Sequence, residues 1–129
     1  MWFKNAIGKE KIDNMFKGEL NIHSVEIGAF SMENFSNLEL HFYCRNLPDN
    51  YPAKWDSESF NAISIIITFG DILQFNVNGS RVGFFCNPAI DSYENYSEIT
   101  IKSDFLDLYC KSTFLTINSV RPYIDERWD

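Results

Sequence analysis

Residues 37–45 read NLELHFYCR and residues 60–69 read FNAISIIITF, and together these two stretches decide the fold class. In the first, Leu38, Leu40, Phe42 and Cys44 alternate with Glu39, His41, Tyr43 and Arg45. That period of two belongs to a strand with one face in a core and the other in water. The second stretch is a nearly continuous β-branched run, the pattern of a central strand covered on both faces.

Outward from this pair, Gly70-Asp71 predicts a tight reversal into Ile72–Val77, and Asn78-Gly79-Ser80 predicts another before Val82–Cys86. Further strands are expected over Glu98–Ser103, Phe105–Cys110 and Thr113–Val120. Upstream, Leu20, Ile22, Val25 and Ile27 form an extended segment. Within Met1–Gly18, Ile12, Met15 and Phe16 fall at helical spacing with Gly18 as C-cap, which predicts one short amphipathic helix. Residues 46–58, NLPDNYPAKWDSE, read as a loop whose large apolar group is Trp55. Residues 87–97 read as a second, polar loop that exposes Asp91, Tyr93, Glu94 and Tyr96. Short strands with turn signals between them imply a mainly β (α+β) fold, an antiparallel sandwich or partly open barrel with one short N-terminal helix laid against it.

The 129 residues are expected to form a single domain, 1–129, since no repeat, low-complexity tract or linker interrupts them. Hydrophobic residues make up 45%, aromatics 16% and charged residues 22%, a globular composition with a Phe-rich excess that suits pleated surfaces. Eighteen acids against eleven bases leave a net charge of −7, which excludes a direct nucleic-acid binder and favours a basic partner. Residues 87–109 hold five acids, Asp91, Glu94, Glu98, Asp104 and Asp107, against Lys102, so more than half of that charge lies there. Tyr93 and Tyr96 stand among the acids, a composition suited to recognition by rigid aromatic anchors and steering charges.

Chemistry-bearing motifs are missing from the sequence. Cys44, Cys86 and Cys110 are odd in number and widely spaced, which predicts buried, reduced thiols with no zinc set. There is no P-loop, GxGxxG, GxSxG or HExxH, so no cofactor, no metal and no catalytic role is expected. His23 and Glu26 would face opposite sides of an extended strand and are expected to serve as anchors of the helix-to-strand turn. Trp55 is expected to pin its loop to the core, as Trp2 and Trp128 pin the termini. No secretory leader is visible in the first 20 residues, and the longest apolar run, Ala62–Phe69, is too short to span a membrane. The cytoplasm is the expected compartment.

The chain resembles the bacterial immunity protein 50 family, one of the groups proposed to neutralise polymorphic toxins. The resemblance lies in MWF at 1–3, IHSVEI at 22–27, LELHFYCRNLPDNYPAKWDSESFNAISIIITFGDI at 38–72 and FLDLYCKSTFLTINSV at 105–120. It implies a protein encoded beside a toxin and retained in the cytoplasm, where it blocks the cognate toxin domain by direct contact without a cofactor. The acidity of the chain suits a basic nuclease as that toxin. Residues 78–97 match the family poorly, and a variable, acidic, Tyr-bearing segment is where partner specificity is expected. Asp91, Tyr93, Glu94 and Tyr96 are therefore the expected contact residues. Exposed strand edges permit a weak homodimer as well as a monomer. The competing reading is a non-catalytic small-molecule binder with a cavity lined by Phe side chains.

Overall fold

The structure is a computed structural model that describes residues 1–17, 20–45, 47, 51–57 and 59–127. Helix α1 spans Glu10–Phe16, and seven strands follow: β1 Val25–Glu33, β2 Asn37–Cys44, β3 Ala62–Gly79, β4 Phe84–Cys86, β5 Ala89–Ser92, β6 Ser97–Lys102 and β7 Leu106–Tyr123. They form one antiparallel sheet in the order β4-β1-β2-β3-β7-β6-β5. The sheet does not close on itself, so the expected mainly β fold of sandwich or open-barrel type is present.

Alternation in β2 buries Leu38, Leu40, Phe42 and Cys44, as its sequence requires. Ile63, Ile65, Ile67 and Phe69 of β3 do the same. The first half of β3 pairs with β2, the first half of β7 pairs with β6, and the buried residues of both regions belong to one core cluster. A contiguous core under strands that branch from opposite halves of a central pair requires the sheet to fold over itself.

Three sequence expectations change here. Gly70-Asp71 is not a hairpin turn, because β3 runs through it and keeps pairing with β7 on both sides: Phe69 opposite Leu115, Gly70 opposite Phe114, Ile72 opposite Ser112. The register shifts between Ile72 and Gln74, and Asp71 adopts φ 55°, so the turn-forming residues serve a bulge that bends the strand. A Cβ at Gly70 would lie 2.2 Å from the Phe114 ring, so glycine admits an aromatic laid directly across the bend. The segments expected at 105–110 and 113–120 are likewise one strand, β7. After Gly79 the chain does leave β3, yet β4 crosses to the far edge and pairs with β1.

The N-terminal helix is shorter than its expected span. Residues before Glu10 form turns and one bridge, in which Ile7 N–H donates to Leu115 O (2.8 Å) and Ile117 N–H to Ile7 O (2.8 Å). This segment occupies the side of β7 that β6 leaves open. Gly8 follows at φ 87°, where a Cβ would meet Ile117 O at 2.7 Å. Ile12 and Phe16 enter the core, and Lys17 takes the left-handed cap conformation at φ 54°. The expected cap Gly18 and the expected anchor Trp128 lie outside the described residues.

Two arrangements fasten the connections. Trp55, on a short 3-10 helix at Ala53–Ser57, is 3% exposed and packs edge-on to Phe16 and Phe60, at 5.6 Å from each ring. Behind β1, Arg127 donates from Nη1 to Glu26 Oε2 (3.1 Å), from Nη2 to Glu26 Oε1 (2.6 Å) and from Nε to Asp125 Oδ1 (2.9 Å), with a further contact from Nη2 to Asp125 Oδ2. Asn61 and Asp125 exchange two more bonds, Asn61 Nδ2 donating to Asp125 O (2.9 Å) and Asp125 N–H to Asn61 Oδ1 (2.8 Å). Both carboxylates are buried, so the guanidinium compensates charges that burial alone would make costly.

Replacing Trp55 by Ala removes a fully packed indole and is expected to cost about 3–5 kcal/mol. The urea midpoint should fall with the slope unchanged. At the clamp, hydrogen bonding from Arg127 holds the Asp125 carboxyl below the usual carboxylate range. A lowered pKa contributes stability that is present above the unfolded value and lost as pH falls through the folded one. Arg127→Ala should therefore be destabilised most near neutral pH, and its deficit against the wild type should narrow on acidification below about pH 4. Thermal melts at stepped pH read this directly.

Candidate partner-binding face

Residues 87–97 are expected as a loop, and the structure corrects this: β5 and β6 form a hairpin there, closed by Tyr93 N–H donating to Tyr96 O (2.8 Å). Alternation directs Ile90 and Ile99 into the core and leaves Asp91 and Glu98 on the outer face. Asp91 stands directly opposite Glu98, and Glu98 stands opposite Lys111 of β7. Like charges in opposed positions are destabilising, and one lysine serves two acids in this row.

The aromatic groups flank the row. The Tyr93 and Tyr96 rings lie 4.7 Å apart, and Lys111 Nζ sits 4.6 Å from the Tyr96 ring centre. Tyr109 donates its hydroxyl to Glu98 Oε2 (3.0 Å). The Asp91 charge raises the Tyr93 hydroxyl above its ordinary value, and the hydrogen bond to Glu98 does the same for Tyr109. Both phenols therefore stay protonated at neutral pH, the Tyr109 hydrogen being committed to Glu98.

The hairpin is held from below. Ser92 is buried, donates its hydroxyl to Trp2 O (2.8 Å), and accepts from Asn5 N–H (3.0 Å). Asn5 Nδ2 also donates to Ser92 O (2.8 Å). The N-terminal segment thus ties down the strand that precedes Tyr93.

Of the four expected contact residues, Asp91, Tyr93 and Glu94 are exposed, while Tyr96 is half-buried beneath Lys111 and Tyr93. Glu98, Tyr109 and Lys111 join the face although sequence reading did not nominate them as contacts. Their signal was the alternation in SEITIK and LDLYCK, which sets all three on the polar side.

The remaining expected residues divide. Glu26 is buried with both oxygens committed to Arg127, whereas His23 is exposed, so the two do not form a catalytic pair. Trp55 lies in the core, remote in role from the acidic face. Among the described residues no three His, Cys, Asp or Glu side chains form a metal-ligand group. No helix among them is long and apolar enough to cross a membrane. All three cysteines are buried thiols, and burial pushes Cys86 up to about 11 and Cys110 up to about 12, so neither is a thiolate nucleophile at neutral pH.

The small-molecule reading expects a Phe-lined cavity. Phe3, Phe16, Phe42 and Phe69 are instead fully buried in the core cluster. A groove of about 580 Å³ does run between β1 and the end of β3, bounded by Gly28, Phe30, Val77, Ser80, Arg81 and Leu106. It is open to solvent and mixed in polarity, with a single Phe in its wall.

The outer face of the β5–β6 hairpin thus sets acids and aromatic rings side by side. Nothing among curated proteins or solved structures matches the chain. The family model of immunity protein 50 matches residues 8–123, from the segment bridged to β7 through the end of β7 itself. The chain therefore belongs to the immunity protein 50 family.

Proposed function

We propose that this protein neutralises one cognate toxin domain in the cytoplasm of the producing cell by stoichiometric contact, using the outer face of the β5–β6 hairpin and no catalysis or cofactor. The observation that carries the reading is Asp91 opposite Glu98. A face shaped for stability alone would alternate signs, and a like-charged opposed pair forgoes roughly 0.2–1 kcal/mol. A cationic partner reverses the sign of that term. Tyr93 adds an amphipathic ring at low conformational cost, and the bonds that Ser92 donates to Trp2 O and accepts from Asn5 fix the hairpin before the partner arrives.

The partner that fits is a basic domain, as enzymes that attack nucleic acid are. At −7 the chain repels phosphate itself and attracts the surface that phosphate would occupy. Family membership supports a toxin as that domain.

The test is a titration against the purified C-terminal domain of the large protein encoded beside this gene. One-to-one binding that weakens with salt is expected. Reversing Asp91 and Glu94 together to Lys should lower the association rate at low salt by tenfold or more while far-ultraviolet circular dichroism stays unchanged. Unchanged kinetics in that variant would remove the hairpin from the contact surface.

A further inference from the structure

The β1–β2 connection presents an unusual tip. Glu33 pairs with Asn37, leaving Asn34, Phe35 and Ser36 as the turn. Ser36 N–H donates to Asn34 O at 2.9 Å, and Phe35, between them, has φ 72°. That bond and that dihedral define a γ-turn of the positive-φ kind, a rare and strained conformation. A bulky residue at positive φ is an outlier where glycine would fit without cost. Phe35 is nevertheless fully exposed, at 104%. Its ring gains nothing from the fold that would offset the strain.

The strain is local to one junction. Among the described residues five non-glycine residues have positive φ, and three of them, Asn34, Phe35 and Asp71, meet here. Ile72 N–H donates to Ser36 O (2.8 Å) and Asp71 N–H to Asn37 Oδ1 (3.0 Å), so the hairpin tip is fastened to the β3 bulge. Thr113 donates to Asp71 Oδ2 (2.9 Å) from β7. Three exposed apolar side chains stand around this junction, Met32 at 48%, Leu73 at 60% and Phe114 at 38%, among exposed polar ones that include Asn34, Gln74 and Thr113. Residues 31–39 and 70–76 hold Glu33, Glu39 and Asp71 and neither Lys nor Arg, while β7 brings Lys111 opposite Gln74, so acids outnumber bases three to one.

The junction and the β5–β6 hairpin are linked by strand pairing through two buried serines. Ser97, which follows Tyr96, pairs with Ser112; Ser112 pairs with Ile72; and Ile72 is bonded to Ser36, next to Phe35. Three strand spacings separate the two hairpin tips, roughly 14 Å, which is well inside one ordinary protein interface.

We infer that Phe35 is the apolar anchor of the toxin-binding surface, a rigid aromatic knob that enters an apolar pocket rimmed by basic residues on the toxin domain. This rests on the reading that a basic toxin domain is the partner. Strain held at an exposed aromatic is stability exchanged for a fixed, pre-organised ring. Leu73 and Phe114 exclude water around it, and Glu33 and Asp71 meet the basic rim.

The decisive variant is Phe35→Gly, which removes the ring and relieves the backbone together. Its melting temperature should equal or exceed that of the wild type, while affinity for the purified C-terminal domain of the neighbouring large protein should fall tenfold or more, through faster dissociation. Its salt dependence should match that of the wild type, because no charge has changed. Phe35→Asn, which also tolerates positive φ, should behave alike. A Phe35→Gly protein that binds as tightly as wild type, while the Asp91/Glu94 reversal weakens binding, overturns the anchor and leaves the acidic face standing. A wild type that does not bind that domain at all overturns both. A wild-type dimer in sedimentation that Phe35→Gly converts to monomers assigns the knob to a second copy and overturns the toxin as its occupant.

Discussion

Everything in this molecule is attached to the pairing of β3 with β7. The two 18-residue strands stay in antiparallel register from Ala62 opposite Tyr123 to Gly79 opposite Leu106. Strands β2, β1 and β4 extend from the first half of β3, and strands β6 and β5 from the first half of β7. Because the two wings leave opposite halves of the ribbon, a bend in the ribbon is enough to bring their apolar faces together. The register shift at Ile72–Gln74 supplies that bend, and Phe114 across Gly70 keeps its outer surface covered. One local irregularity thereby turns a single sheet into a two-sided enclosure for the core.

That same irregularity marks where sequence reading stops. Alternation in NLELHFYC and the β-branched run over 62–69 were legible because burial on one face recurs at every second residue, although β3 keeps Ser64, Ile66 and Thr68 half-exposed where cover on both faces is expected. Gly70-Asp71 was not, since a hairpin turn and a bulge ask for the same residues and only the partner strand distinguishes them. In β7, Lys111-Ser112-Thr113 reads as a break; Ser112 is in fact fully buried, its hydroxyl satisfied by Phe114 O at 2.9 Å. The β5–β6 hairpin was hidden by brevity, because four residues after Pro88 are too few to display a period. The acids and tyrosines of the candidate face were legible as composition, and their mutual placement was not. Arg127 gave no signal at all, as its partner Glu26 lies 101 residues away.

The sheet's two edges carry little capacity for self-pairing. Strand β4 has three residues and β5 has four, and the N-terminal segment is bonded to Ser92 at the end of β5. Short edges of this kind offer few backbone groups to another chain. Open edges also lie inside the sheet, since β1 beyond Ile27 and β3 beyond Phe69 are each paired with one neighbouring strand alone among the described residues.

Side chains are distributed in a way that stability does not explain. The inner faces are apolar apart from Ser92, Ser97 and Ser112, the clamp at Asp125 is hydrogen-bonded, and among the described residues no buried side-chain polar atom lacks a partner. Concessions cluster elsewhere: the acids opposed at Asp91 and Glu98, and the left-handed residues at Asn34, Phe35 and Asp71. The first lies on the row Asp91, Glu98, Lys111 and Gln74, and the second is bonded to Ile72 at the end of the neighbouring row Ser97, Ser112 and Ile72, beside the bulge that bends the ribbon. A bulge frees backbone groups and redirects side chains, and here the bulge residues Asp71 and Ile72 hold the strained turn through Asn37 Oδ1 and Ser36 O. The residues that bend the ribbon are therefore also the residues that fasten the strained β1–β2 tip, so core closure and the hold on that turn share one set of hydrogen bonds.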